Sequence, residues 1–233
     1  MRGPFRREVP TRTLRSVMAA VLGAAAAVLI LLVGLRWQPL AALDRNVATG
    51  LHTMALEHPG LTRAHRILSD WVWDPWTFRL LVAAVVLRLL WLRERAAGWW
   101  LAGTVLAGSA VQQGLKAALD RERPRWRQPV DSAEYAAMPS GHAMTAALVC
   151  VVLLWLWRER GGPGGDGGRR CAVVVACVSV PGVAFTRVWL GVHWLTDTVV
   201  GVLLGAALGL ASAAVWAALR TAGQLPAPPV RFR

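Results

Sequence analysis

Six apolar stretches, residues 17–35, 78–92, 97–115, 143–157, 171–188 and 198–219, leave this 233-residue chain few ways to fold. A helix needs about 20 apolar residues to cross the hydrocarbon core of a bilayer. Such a helix satisfies its own backbone hydrogen bonds, which lipid cannot do for it. Two of the stretches are short, but flanking residues such as Trp76 and Met138 extend them. The pattern predicts an all-α, polytopic membrane protein built as a six-span helical bundle. The first stretch follows a basic start, as in a signal peptide. Its apolar run is longer than a signal's and lacks a small-x-small cleavage site, which favours an uncleaved span.

Charge sets the direction of the bundle. The formal net charge is +13, which raises nucleic acid as a partner. The arginines instead flank apolar runs and form no continuous basic, aromatic-laced track, so nucleic acid is not expected. With the N-terminus in the cytoplasm, the inside segments hold Arg2, Arg6, Arg7, Arg12 and Arg15, then Arg88, Arg93 and Arg95. They also hold Arg158, Arg160, Arg169 and Arg170, then Arg220, Arg231 and Arg233. That excess predicts cytoplasmic termini in a multi-pass cell-membrane protein. It divides the chain into a basic tail at 1–16, a six-span domain at 17–219 and a second tail at 220–233.

Between the first two spans, Leu40, Leu43, Val47, Leu51 and Met54 recur at helical steps. They read either as an amphipathic helix on the outer interface or as a helix packed on the bundle. Trp71, Trp73 and Trp76 read as an interfacial aromatic belt. The Gly-rich segment 161–168 reads as a flexible cytoplasmic linker; it lacks the Gly-Lys-Ser/Thr ending of a nucleotide loop. Cys150, Cys171 and Cys177 lie in apolar runs without partners at zinc-ligand spacing and read as packing residues.

Three polar clusters interrupt the apolar chain. Lys116, the only lysine, stands seven residues before Arg123-Pro124. If the helix runs through, the two cations share a face about 10 Å apart along its axis, and Pro124 then ends it. Together they can grip different oxygens of one phosphate. Alone, this cluster also reads as a solvated helix end with Asp120 and Glu122 as counterions. Pro139-Ser140-Gly141-His142 precedes an apolar run, with Ser140 as N-cap and Gly141 allowing close approach to the backbone. The first amides of that helix can point at an anion, and His142 can give a proton to a leaving oxygen. Alone, this reads equally as a capped helix with an exposed histidine. Arg187, His193 and Asp197 form the third cluster. The four-residue step puts His193 and Asp197 on one helical face, where the carboxylate holds one ring nitrogen and frees the other to attack phosphorus. Arg187 adds a phosphate contact; a purely structural His–Asp pair is the alternative. On the charge map all three clusters reach the same non-cytoplasmic face.

In this arrangement the chain resembles the type 2 phosphatidic acid phosphatase (PAP2) family, whose signature is K-x6-RP, PSGH and SR-x5-H-x3-D. Here the three parts run Lys116 to Arg123-Pro124, Pro139 to His142, and Thr186-Arg187 to His193 and Asp197. Thr186 stands where the family usually has serine and retains the hydroxyl. The resemblance implies a lipid phosphate phosphatase without cofactor or metal, working through a phosphohistidine. His193 is then the nucleophile, Asp197 its orienting carboxylate and His142 the general acid. Lys116, Arg123, Ser140, Gly141 and Arg187 hold the phosphate. The implied substrate is a lipid phosphomonoester or diphosphate: phosphatidate, phosphatidylglycerol phosphate or a polyprenyl diphosphate. A phosphotransferase on the same scaffold and a non-catalytic lipid-binding or transport protein are the alternatives. A binder needs the cations but no nucleophile, which weighs against the latter. A vanadate-dependent haloperoxidase shares the site pattern, but such enzymes are typically soluble.

Overall fold

The structure, a computed structural model, describes residues 11–161 and 165–225. Its helices are α1 (Thr11–Gly34), α2 (Gln38–Glu57), α3 (Pro59–Ile67), α4 (Pro75–Trp91), α5 (Arg95–Leu119), α6 (Gly141–Arg160), α7 (Gly165–Trp189) and α8 (Leu195–Thr221). A π-helical turn, Leu68–Val72, joins α3 to α4. No strand occurs among the described residues. Each of the six expected stretches falls inside one long helix, overrunning its end by no more than a residue. Four of these, α1, α6, α7 and α8, are long and apolar enough to cross a membrane. Large apolar side chains such as Val21, Leu80, Leu87 and Val175 stand exposed on the bundle surface, as lipid-facing residues do.

The tightest join is between α6 and α8. Gly201, Gly205 and Gly209 recur every fourth residue and form one bare stripe along α8. A Cβ on Gly201 would lie 2.8 Å from the Ser140 carbonyl oxygen. One on Gly205 would collide with the Met144 carbonyl, and one on Gly209 would lie 2.8 Å from Val151 Cγ1. Only a stripe without side chains lets the two backbones come this close, which is how helices gain dispersion contacts where lipid removes the hydrophobic drive. At the top of the join the Ser140 amide donates to the Asp197 carbonyl at 3.0 Å. The second and third signature clusters are therefore held to each other by backbone.

Away from the site, Trp100, Trp155 and Trp216 cluster with centroids 4.8–6.4 Å apart. The ion pairs Arg160–Glu94 and Arg220–Glu159 close that far end. Near the site, α4 begins at Pro75 behind the N-cap Asp74, whose Oδ1 accepts from the Trp76 amide at 2.7 Å.

Four expectations are corrected or bounded. The buried face of α2 is Asp44, Ala48, His52 and Ala55, while Leu43 and Met54 of the apolar stripe are exposed. The helix thus packs by small and polar groups and turns part of its apolar stripe outward. The 161–168 linker shrinks: Gly161 closes α6 in the left-handed conformation and α7 already begins at Gly165, while 162–164 lie outside the described residues. The tail arginines Arg2, Arg6, Arg7, Arg231 and Arg233 also lie outside them. Of the three belt tryptophans, Trp71 and Trp76 are exposed, but Trp73 packs against Gly182 of α7.

Adding one methyl tests the α6–α8 join. Gly205→Ala is expected to destabilise the protein by about 1–3 kcal/mol, as overpacking does. Gly23→Ala, with nothing within 4 Å of the added Cβ, is expected to leave the melting temperature unchanged. Thermal unfolding in detergent reads both.

Candidate active site

The site gathers at the end of the bundle where α5 and α7 finish and α6 and α8 begin. Helix α5 does not run on to Arg123. It stops at Asp120, which adopts the left-handed conformation (φ 38°), so the shared helical face expected for Lys116 and Arg123 does not exist. Arg123 instead approaches from a non-helical segment, and the two cations converge on one loop. The Lys116 ammonium donates to the Ala136 carbonyl. The Arg123 guanidinium donates through Nε to Tyr135 O at 2.9 Å, through Nη2 to Glu134 O at 3.0 Å and through Nη1 to Val192 O at 2.6 Å.

Arg123 Nη1 also lies 3.1 Å from His193 Nε2. A guanidinium only donates, so this contact casts Nε2 as the acceptor with its lone pair outward. The other ring nitrogen, Nδ1, faces Asp197 Oδ2 at 3.4 Å. The partners thus assign the tautomer: proton on Nδ1 against the carboxylate, lone pair on Nε2 against a cation. His193 and Asp197 meet as expected, but not on one helical face. Trp194 is the N-cap of α8 and Asp197 its third residue, so the carboxylate folds back over the helix start, where Oδ2 also accepts from the Trp194 amide at 2.9 Å.

Ser140 is the N-cap of α6, yet its hydroxyl makes no capping bond. Ser140 Oγ is fully buried without a hydrogen-bond partner, and so is Arg187 Nε. Buried polar groups are rarely left unmatched, and these two belong to the residues expected to hold a phosphate. Arg187, in the last turn of α7, is itself held by Nη1 donating to Ser69 Oγ at 2.7 Å. The space beside Gly141 is taken by the Gln112 side-chain amide; a Cβ there would sit 2.7 Å from its Nε2. His142 Nε2 lies 3.7 Å from Asp74 Oδ2. Thr186 does not turn its hydroxyl to the phosphate residues: Oγ1 lies 3.0 Å from His65 Nδ1 on α3.

The field at His193 is strongly positive. Burial, followed by the charges of Arg123, Arg187 and Lys116, pushes its imidazole well below the ordinary value of 6.5. Burial likewise lowers Arg123, against the opposing pull of Asp197. Lys116, Arg123, Arg187 and His193 all act on His142 by charge, the Ser140 amide bonds the Asp197 carbonyl, and Gly141 lies between Ser140 and His142, so the eight expected residues share one region. Among the described residues, no three His, Cys, Asp or Glu side chains converge as metal ligands do.

Sequence reasoning missed five contributors: Asp44, Ser69, Asp74, Gln112 and Arg121. Arg121 lies within the first cluster, between Lys116 and Arg123. It bridges Asp197 and Asp44, with Nη1 at 2.5 Å from Asp197 Oδ1 and Nη2 at 2.7 Å from Asp44 Oδ2. Gln112 stands one turn before Lys116, and Asp44 begins the Asp44-Ala48-His52-Ala55 register of α2. Both periodicities are visible in the sequence once the buried face is known. Beside the site, Arg123, Pro124, Trp126, Tyr135 and Val192 border a pocket of about 450 Å³. A cavity of about 760 Å³ between α1, α2 and Arg121 is lined by none of the eight.

Fold and site together define a class: a helical membrane protein whose bundle end holds a cation-ringed imidazole–carboxylate pair suited to an oxyanion. The chain belongs to the PAP2 superfamily, whose model matches residues 97–220, a span containing all eight expected site residues. It is 27% identical over 257 aligned positions to phosphatidylglycerophosphatase B of Escherichia coli, covering 92% of each chain. It is 26% identical over 169 residues to decaprenylphosphoryl-5-phosphoribose phosphatase of Mycobacterium tuberculosis, covering 70% of this chain and 85% of that one. In fold it matches the crystal structure of a transmembrane PAP2-type phosphatidylglycerolphosphate phosphatase from Bacillus subtilis. The TM-score is 0.72 at 19% identity, over 95% of this chain and 98% of that one.

The depressed imidazole is directly measurable. Histidine-selective NMR titration in micelles, assigned with His193→Gln, is expected to place the His193 midpoint well below 6.5. The ring is then neutral at neutral pH; a midpoint at or above 6.5 contradicts this electrostatic account.

Proposed function

We propose that this protein is a lipid phosphate phosphatase that works through a phosphohistidine on His193. The observation that carries the reading is the pairing of a buried His193, its Nε2 beside Arg123 and its Nδ1 beside Asp197, with two buried unmatched donors on Ser140 and Arg187. Its membrane helices and its relatives among lipid phosphate phosphatases support a lipid substrate.

In the first step His193 Nε2 attacks phosphorus, and the bond to the leaving oxygen breaks as His142 delivers a proton to it. Asp197 stabilises the positive charge that develops on the imidazole. Lys116, Arg123, Arg187, Ser140 and the backbone at Gly141 face the equatorial oxygens, whose charge they hold in a buried, preorganised setting. In the second step water attacks the phosphohistidine, His142 takes its proton, and phosphate leaves with His193 restored. No step calls for a metal, because three cationic side chains supply the charge. The loop carbonyls at 134–136 that now receive Lys116 and Arg123 yield those donors to the phosphate.

The span count and orientation belong to the same reading. Helices α4 and α5 complete six spans with the four long apolar ones, the termini lie in the cytoplasm, and the site faces the other side. A substrate can then keep its tail in the outer leaflet while its headgroup enters beside Arg123. Phosphatidylglycerol phosphate, phosphatidate and polyprenyl diphosphates all fit that description.

Purified protein is expected to release phosphate from at least one of these lipids in the presence of EDTA. His193→Ala should lower the rate by about three orders of magnitude or more, as loss of a nucleophile does. Release abolished by EDTA, or retained in His193→Ala, contradicts the mechanism. Transfer of phosphate to an added alcohol in place of water would identify a phosphotransferase.

A further inference from the structure

We propose that Asp44, on α2 and outside the signature clusters, is a positioning residue for the reaction. It acts through Arg121 and Thr196 on Asp197, and so on His193; the inference rests on the phosphohistidine reading above. Asp44 is 2% exposed and Asp197 fully buried, and one guanidinium, Arg121, spans them. Arg121 Nη2 donates to Asp44 Oδ2 at 2.7 Å, and Nη1 donates to Asp197 Oδ1 at 2.5 Å and to Thr196 Oγ1 at 2.7 Å. Thr196 closes the circuit: its amide donates to Asp44 Oδ1 at 2.9 Å and its hydroxyl to Asp44 Oδ2 at 2.6 Å.

The consequence falls on one carboxylate. Arg121 occupies Asp197 Oδ1, so only Oδ2 remains to face His193 Nδ1. With the Trp194 amide holding Oδ2, the plane of that carboxylate is thus set from the Oδ1 side by a guanidinium whose own second fork is set by Asp44. Thr196 is the second residue of α8, and Asp44 receives its free amide. Asp44 therefore caps α8 from another helix while it aims Arg121. A plain anchor for α2 would need only the Thr196 amide. The shared guanidinium is what links Asp44 to the orientation of the nucleophile.

The test uses full-length protein and radiolabelled phosphatidylglycerol phosphate, phosphatidate or polyprenyl diphosphate, whichever the wild type hydrolyses. Loss of that hydrolysis in His193→Ala is established first; failure at that point removes the reaction itself and is distinct from failure of the clamp. Asp44→Asn, checked as folded by its melting curve, is expected to lower kcat by about 10- to 100-fold with KM nearly unchanged, the scale of a displaced reacting group. In an Asp197→Asn background, read from the residual radiolabel release, the same change is expected to cost almost nothing. Thr196→Val removes the hydroxyl link while keeping the amide. It should lower kcat in the same coupled way, and it carries the test if Asp44→Asn does not fold. Wild-type kcat in a folded variant, or a loss equally large with and without Asp197, overturns the proposal.

Discussion

The close approach of α6 to α8 is the constraint on which the rest of the molecule depends. Neither helix carries the whole chemistry. The Ser140 and His142 cluster opens one, and the His193 and Asp197 cluster opens the other. A stripe of three glycines lets the backbones touch, and the Ser140 amide bonds the Asp197 carbonyl at the top of the seam. A single hydrogen bond of this kind contributes only about 1 kcal/mol. Its value lies in geometry, because it sets the register between two helix starts whose dipoles both favour an anion. The polar clusters can then be short, since the bundle, not the loops, supplies their precision.

The charge arrangement follows from that placement. Lys116, Arg123 and Arg187 are brought from three directions onto one buried imidazole, and each is held by protein oxygens: loop carbonyls for the first two, the Ser69 hydroxyl for the third. Concentrated positive charge with little solvent is costly without an anion, and burial together with that charge disfavours the charged form of His193. In the proposed mechanism an arriving phosphate relieves that cost and takes Arg123 from His193 Nε2, whose lone pair then meets phosphorus. On the opposite side, Asp44 and Asp197 share Arg121, so the carboxylate that faces His193 is itself held. Removing one partner from a buried pair of this kind typically costs about 3–5 kcal/mol.

Much of this was legible in the chain. Six apolar runs became six long helices, because a long apolar run satisfies its backbone internally as a helix. The eight expected site residues share one end of the bundle, because the motifs sit where apolar runs start or stop. Three features were not legible. The helix carrying Lys116 ends at Asp120, where a left-handed residue breaks a pattern that propensity alone would continue. His193 lies just before α8, so its four-residue step to Asp197 reflects a capping turn and not a helical face. Asp44 lies on the buried face of α2, a carboxylate that the apolar stripe of that helix does not single out. Its burial depends on Arg121 and Thr196, far away in sequence, and no local pattern reports such a partner. The Gly201-Gly205-Gly209 stripe was readable in principle, as small residues at four-residue steps in an apolar run.

The most direct test of the account is to trap its intermediate. Rapid acid-free quenching of the protein during turnover of a phosphate-labelled lipid, followed by peptide mapping, should find label that is stable in alkali and lost in acid, on the peptide holding His193. That label should be absent from His193→Ala. Turnover without any covalent label, or label on a residue other than His193, would contradict the mechanism set out here.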